Sequence, residues 1–157
     1  MPHEYHFICP HCGHRLLAAE RTAGFRRGET RGCEKCGFGY MFELLDDYYP
    51  APNAAFFALD AEGKMLDCGK GSFELTGLKT EAVIGQPVGE VLGLKFEDGT
   101  DHVGTALEWE VRVQGKPVEI TAHGPANHTA RAVADLFPAY DDENGGLLIV
   151  LTPTNHH

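Results

Sequence analysis

The chain has 157 residues, 43% hydrophobic and 23% charged, which suits one ordinary domain or a small unit beside a medium one and excludes a disordered chain. Its net charge of −10 is uneven: residues 1–45 carry six Lys/Arg against five Asp/Glu, a balance of +1, and residues 46–157 carry seven against eighteen, a balance of −11. The acidic part repels a phosphate backbone, so nucleic-acid binding is expected of the N-terminal part or not at all; no apolar run reaches the ~20 residues that cross a bilayer, which predicts no membrane partner.

The start, "MPHEYHFICPHCGH", has no basic region followed by an apolar core, which predicts no signal peptide and a cytoplasmic location. Thiols stay reduced there, so paired Cys-x-x-Cys hooks favour a metal over disulfides. Two such hooks are present, "CPHCG" from Cys9 and "CEKCG" from Cys33. Each closes on a Gly, which permits the backbone angles of a tight knuckle. Two facing knuckles supply four thiolates in a tetrahedron, about 2.3 Å from a zinc ion. The stretch between them, Gly13 to Gly32, suits a β-ribbon with one knuckle at each side. Residues 1–45 are therefore expected to form a zinc ribbon holding one structural zinc on Cys9, Cys12, Cys33 and Cys36. A closed four-thiolate shell leaves no position for substrate, and a segment this small needs the metal in order to fold. "CPHCG" also resembles one knuckle of a rubredoxin, which makes iron the alternative. The second hook lacks the proline, and the acidic, aromatic-rich surroundings of such a site are missing, so zinc is favoured. His3, His6, His11 and His14 crowd the same region as spectators or outer donors, with a mixed Cys/His ligand set as the lesser option. Arg15, Arg21, Arg26, Arg27 and Arg31 are the residues for a basic face; the bland alternative is a solvated surface.

Residues 46–53, "DDYYPAPN", carry paired acids and two prolines and read as a linker. Residues 54–157 have their own periodicity. "AFFALDAEGKMLDCG" is a hairpin turning at Asp60–Gly63. "KGSFELTGLKTEAVIGQPVGEVLG" reads as short helices broken by Gly77, Gly85, Gly89 and Gly93, with Thr80 as an N-cap. "LEWEVRVQGKPVEITAHG" alternates on either side of Gln114–Gly115 and predicts a strand, a turn and a strand. The last two runs predict longer strands joined by an acidic, glycine-rich turn at Asp141–Gly146. The class is α+β: a small ribbon, then an antiparallel sheet with short helices grouped on one face.

The third stretch resembles the PAS family over about 100 residues. The resemblance rests on "FFALDAEGKMLDCGKGSFELTGLKTEAVIGQPVGEVLGL" and the closing "LFPAYDDENGGLLIVLTP": an Asp-x-x-Gly turn at Asp60–Gly63, Thr76–Gly77, and a Glu-x-x-x-Gly segment at Glu81–Gly85. Many PAS domains place an Asn after the second strand to cap the first helix; Gly69 stands there, which puts that cap in doubt. The resemblance implies a sensor or dimerisation module, its sheet curled around a small cavity. The cavity residues it implies are Phe57, Leu59, Phe73, Leu75, Val83, Ile84, Val91, Leu92, Trp109, Ile120 and Leu148; the plain alternative is ordinary core. The Asn-Cys-Arg-Phe-like helix of a flavin photosensor is absent, and Cys68 reads as a small buried or edge residue. His102 is roughly placed for a haem ligand, with His123 and His128 in or beside later strands.

No phosphate loop, Ser/His/Asp set or Cys/His catalytic pattern is present, so no enzymatic activity is expected. The reading is a non-catalytic signalling adaptor. Its alternatives are a haem or small-molecule sensor, a rubredoxin-like electron carrier, and a nucleic-acid-binding ribbon with a regulatory PAS domain. The apolar segment "GYMFELLDDYYPAP" is expected to pack on the PAS sheet or on a second protomer, giving a homodimer with Phe42, Leu45 and Tyr48 near the interface.

Overall fold

Strand-forming residues flank the first hook and pair with each other. The computed structural model describes residues 5–9, 11–12, 15–18, 42–44, 53–60, 62–109, 111–122, 128–139 and 146–154. Tyr5–Ile8 (β1) runs antiparallel to Arg15–Ala18 (β2), with Ile8 opposite Arg15. The first hook, Cys9–Gly13, therefore lies in the hairpin connection. Phe42–Leu44 (β3) pairs with the other side of β1, with Phe42 opposite Ile8, giving the order β2-β1-β3. Cys33, Cys36, Leu45, Tyr48, most of the linker, His123 and the turn at 140–145 lie outside the described residues.

Ala55–Asp60 (β4) and Met65–Cys68 (β5) form the hairpin expected from the sequence. Asp60 sets its turn: its Oδ1 accepts from the backbone N–H of Glu62 at 2.8 Å and of Lys64 at 3.0 Å. Three one-turn helices follow: Ser72–Thr76 (α1), Thr80–Val83 (α2) and Val88–Leu92 (α3). Gly77 and Gly93 end α1 and α3 in the left-handed conformation, as helix-stopping glycines do. Thr80 is the first residue of α2 rather than its cap. Lys95–Phe96 (β6), His102–Trp109 (α4), Val113–Ala122 (β7), His128–Ala139 (β8) and Gly146–Pro153 (β9) complete the chain. The strands from β4 onward form one antiparallel sheet, ordered β5-β4-β9-β8-β7-β6.

The start of "LEWEVRVQ" differs from the strand expected there: Leu107–Trp109 end a helix that begins at His102. His102, Val103 and Ala106 are the buried residues, a helical spacing, and they form α4. Gln114–Gly115 is not a hairpin turn but an irregularity within one long strand, where the register to β8 shifts between Val113 and Lys116. Gly115 takes φ +68° there, and its N–H donates to Asp135 Oδ1 at 2.8 Å. Among the described residues no helix is long and apolar enough to cross a membrane.

The middle of the large sheet, around β4 and β9, is buried on both faces. Phe57, Leu59, Met65, Ile120, Leu136, Leu147, Ile149 and Leu151 point inward, where Leu75, Val83, Val91, Leu92, Val103 and Ala106 of the helices cover them. On the opposite face, Ala54, Phe56, Ala58, Phe137, Leu148 and Val150 form a second cluster with Ile8 of β1. β3 runs against β8 on that side. Two sets of alternating side chains, both apolar, thus sandwich the sheet between the helices and the N-terminal strands.

Candidate functional site

Two regions bear on function: the junction of the first hook with the large sheet, and the interior under the helices. At the junction, β1 delivers Cys9 directly into a buried position, and Cys12 is half-buried. His11, between them, is half-exposed and places Nδ1 3.0 Å from Oδ2 of Asp67 on β5. Asp67 is only 4% exposed. A groove of about 820 Å³ opens beside this contact, lined by His11, Asn53, Cys68, Lys70, Phe73 and Lys79 among others. Cys68 is buried at the end of β5, as its place in the sequence suggested. Among the described residues no group of three or more His, Cys, Asp or Glu is gathered for a metal. Two of the four expected thiolates, Cys33 and Cys36, lie outside those residues.

In the interior, Phe57, Leu59, Leu75, Val83, Val91, Leu92 and Ile120 share one apolar cluster beneath the helices. The other four residues assigned to the cavity do not join them. Phe73, Ile84 and Trp109 are 54%, 56% and 69% exposed. A single helical turn turns only part of itself inward: α1 buries Ser72, Leu75 and Thr76, which leaves Phe73 outside. Ile84 follows the buried Val83 into the turn at Gly85. Trp109 ends α4, beyond Ala106, the last buried position of that helix. Leu148 is fully buried but faces the opposite side, between Phe137 and Val150, because strand alternation assigns the inner face to Leu147 and Ile149. A second groove, about 610 Å³, lies between the β4–β5 turn, α3 and α4, lined by Gly63, Pro87, Phe96, Val103 and Leu107 among others.

His102 opens α4 with its ring edge-to-face against Phe96, centroids 4.8 Å apart. Its Nε2 lies 2.7 Å from Oδ2 of Asp98. Asp98 Oδ1 accepts from the N–H of Thr100 at 2.9 Å. A haem bound through Nε2 would have to displace Asp98, so the pair reads first as an anchor for the helix start. The Thr100 N–H, then the His102 ring and its charge, with Lys116 adding a smaller part, hold the Asp98 carboxyl below the ordinary carboxylate range. A depressed carboxylate stabilises the fold above its unfolded-state pKa and loses that contribution as pH falls through its folded-state pKa. Asp98→Ala should therefore lower the melting temperature at neutral pH, by a gap that narrows as pH is taken from neutral to below the ordinary carboxylate range. Circular-dichroism melts across that range read the difference; a gap equally wide at both ends would rule out the charge as its source.

Sequence reasoning expected the segment after the second hook to pack on the large sheet or on a second protomer, and Phe42–Leu44 does run against β8; what it missed is the apolar cluster on that outer face and the His11–Asp67 contact. The outer face did leave a signal: "AFFAL" and "LLIVL" are apolar without alternation, the mark of strands covered on both sides. The contact left none, because its partners are 56 positions apart.

No family model and no curated protein matches the sequence. Solved structures do match. The PAS domain of a protein from Colwellia psychrerythraea is 25% identical, with a TM-score of 0.51 over 66% of this chain and 88% of that one. The PAS domain of nitrogen regulation protein NR(II) from Vibrio parahaemolyticus is 11% identical, with a TM-score of 0.52 over 65% of this chain and 90% of that one. A fungal LOV-domain photoreceptor is 14% identical, with a TM-score of 0.51 over 70% of this chain and 80% of that one. The share of this chain they cover is about the size of the stretch from β4 to β9, and the strand order, the short helices on one face and these likenesses agree: that stretch has the fold of a PAS domain.

Proposed function

We propose that the protein is a non-catalytic signalling module: a zinc-bound ribbon joined to a sensory PAS unit, working through protein contacts. The observation that carries the zinc part is the antiparallel pairing of Ile8 with Phe42. β1 ends at that pair and runs straight into the first hook. β3 begins at that pair, and the second hook precedes it closely in sequence. The chain therefore enters the first hook, and enters β3 after the second hook in sequence, at the same end of the three-stranded sheet. Cys9 and Cys12 fit a thiolate pair, being sheltered and set in the connection between β1 and β2. Zinc there would supply a fixed four-sulfur cross-link, with Cys33 and Cys36 completing the shell. Native mass spectrometry tests this. One zinc per chain is expected, and none in Cys33→Ser; a metal-free wild-type protein overturns the reading, and one equivalent of iron moves it to the rubredoxin alternative.

The interior supports contact over ligand binding. Phe57, Leu59, Leu92 and Ile120 are wholly buried against other side chains of the inner cluster. Among the described residues the large apolar groups that reach solvent are Leu66, Phe73, Ile84, Trp109 and Val111, which suit association with protein. A homodimer is proposed as the working form. Light scattering at micromolar concentrations should give twice the chain mass of 17.1 kDa; the single-chain mass at every concentration would sink the dimer.

A further inference from the structure

On the outer face of the large sheet, an apolar patch built on β4, β8 and β9 is completely covered. Ala54, Phe56, Ala58, Phe137, Leu148 and Val150 are each at most 3% exposed, although no helix of the β4–β9 unit is among the elements that form their cluster. Among the described residues, the one from outside the β4–β9 unit that joins the cluster is Ile8, the last residue of β1 before Cys9. β3 adds backbone against β8. A second attachment is polar and lies on β5, the edge strand: Asp67 Oδ2 meets His11 Nδ1, inside the first hook, at 3.0 Å. The hook is thus fixed to the sheet by the residue that precedes it and by a residue within it.

From this juxtaposition we propose that metal occupancy of the hooks controls the cover of the outer sheet face. With the metal bound, the three-stranded sheet is held together and seals the patch of Phe56, Phe137, Leu148 and Val150. With the metal lost, that small sheet cannot sustain itself, because it has too little core of its own. It then leaves the face, and a contiguous apolar surface is presented to solvent. The inference rests on the zinc reading of the hooks. Coupling of this kind is reciprocal: the seat on the large sheet must raise metal affinity by the same factor by which the metal favours the covered state.

The test uses the full chain loaded with zinc. Zinc is removed with EDTA while hydrogen exchange is followed by mass spectrometry and surface exposure by the dye ANS. Faster exchange is expected in β1, β4, β8 and β9, with a rise in dye fluorescence, while α3 and α4 keep their protection. Zinc affinity, read by competition with a coloured chelator, should fall about 5- to 150-fold in Ile8→Ala and in Asp67→Ala, neither of which removes a thiolate. Zinc binding with unaltered exchange on removal, and with wild-type affinity in both variants, overturns the inference and leaves the zinc reading standing. A protein that takes up no zinc overturns both.

Discussion

Phe137→Ala is expected to destabilise the protein by about 3–5 kcal/mol, the range for deleting a fully buried aromatic side chain. Phe137 is completely buried at the centre of the outer cluster. It stands on β8 opposite Leu148 of β9, and β7 pairs with β8 on the other side. Strands held by ladders on both edges cannot close in on the void, so the cavity cost adds to the lost transfer free energy. Neighbouring Phe56 and Ile8 lose packing at the same time. Urea denaturation reads the change as a lower midpoint at constant slope. A loss below about 1 kcal/mol would mean that the N-terminal strands do not in fact seal this face.

Gly71→Ala is expected to cost about 3 kcal/mol or more, from two independent causes. Gly71 precedes α1 at φ +79°, where a side chain costs about 1–2 kcal/mol. A Cβ there would also stand 2.3 Å from the carbonyl oxygen of Ala54 and 3.1 Å from Cα of Ala55. Those atoms are backbone at the start of β4, one of the inner strands of the sheet, and they cannot swing aside as a side chain would. Gly77→Ala provides the control. Its φ is +74°, but nothing lies within 4 Å of the added Cβ, so only the conformational cost of about 1–2 kcal/mol remains. Equal losses in the two variants, measured by the same unfolding experiment, would remove the contact as a cause.

Local chemistry made much of the fold readable. Asp60 and Gly63 announced the β4–β5 turn, and Gly77 and Gly93 announced the ends of helices, because each residue does its work within a few positions. Gly69 drew attention as the place of a missing cap, yet its carbonyl accepts both the N–H and the hydroxyl of Ser72, and the demanding position is Gly71. α4 was lost because "LEWEV" alternates well enough to imitate a strand, while its inward residues begin earlier, at His102 and Val103. Face assignment failed for Leu148 for the opposite reason: "LLIVL" is apolar throughout, so its parity is decided by register alone. At the hooks, spacing singled out four cysteines, of which the described residues include Cys9 and Cys12, but the placement of His11 against Asp67 depends on tertiary packing that no local pattern encodes.

The strand order also sets a timetable. β4 opens the large sheet, but its second neighbour is β9, so the sheet's middle stays open until the last strand has left the ribosome. Such long-range pairing is slow, since loop closure precedes any gain from the contacts. The outer patch needs Phe137, Leu148 and Val150, and it comes into being only at that late step. Ile8 and the first hook are made far earlier and wait without their seat. A nascent chain therefore passes through a period in which the thiols of its first hook and its apolar first strand are made but have no sheet to lie on, and the order of synthesis becomes part of how the protein reaches its native state.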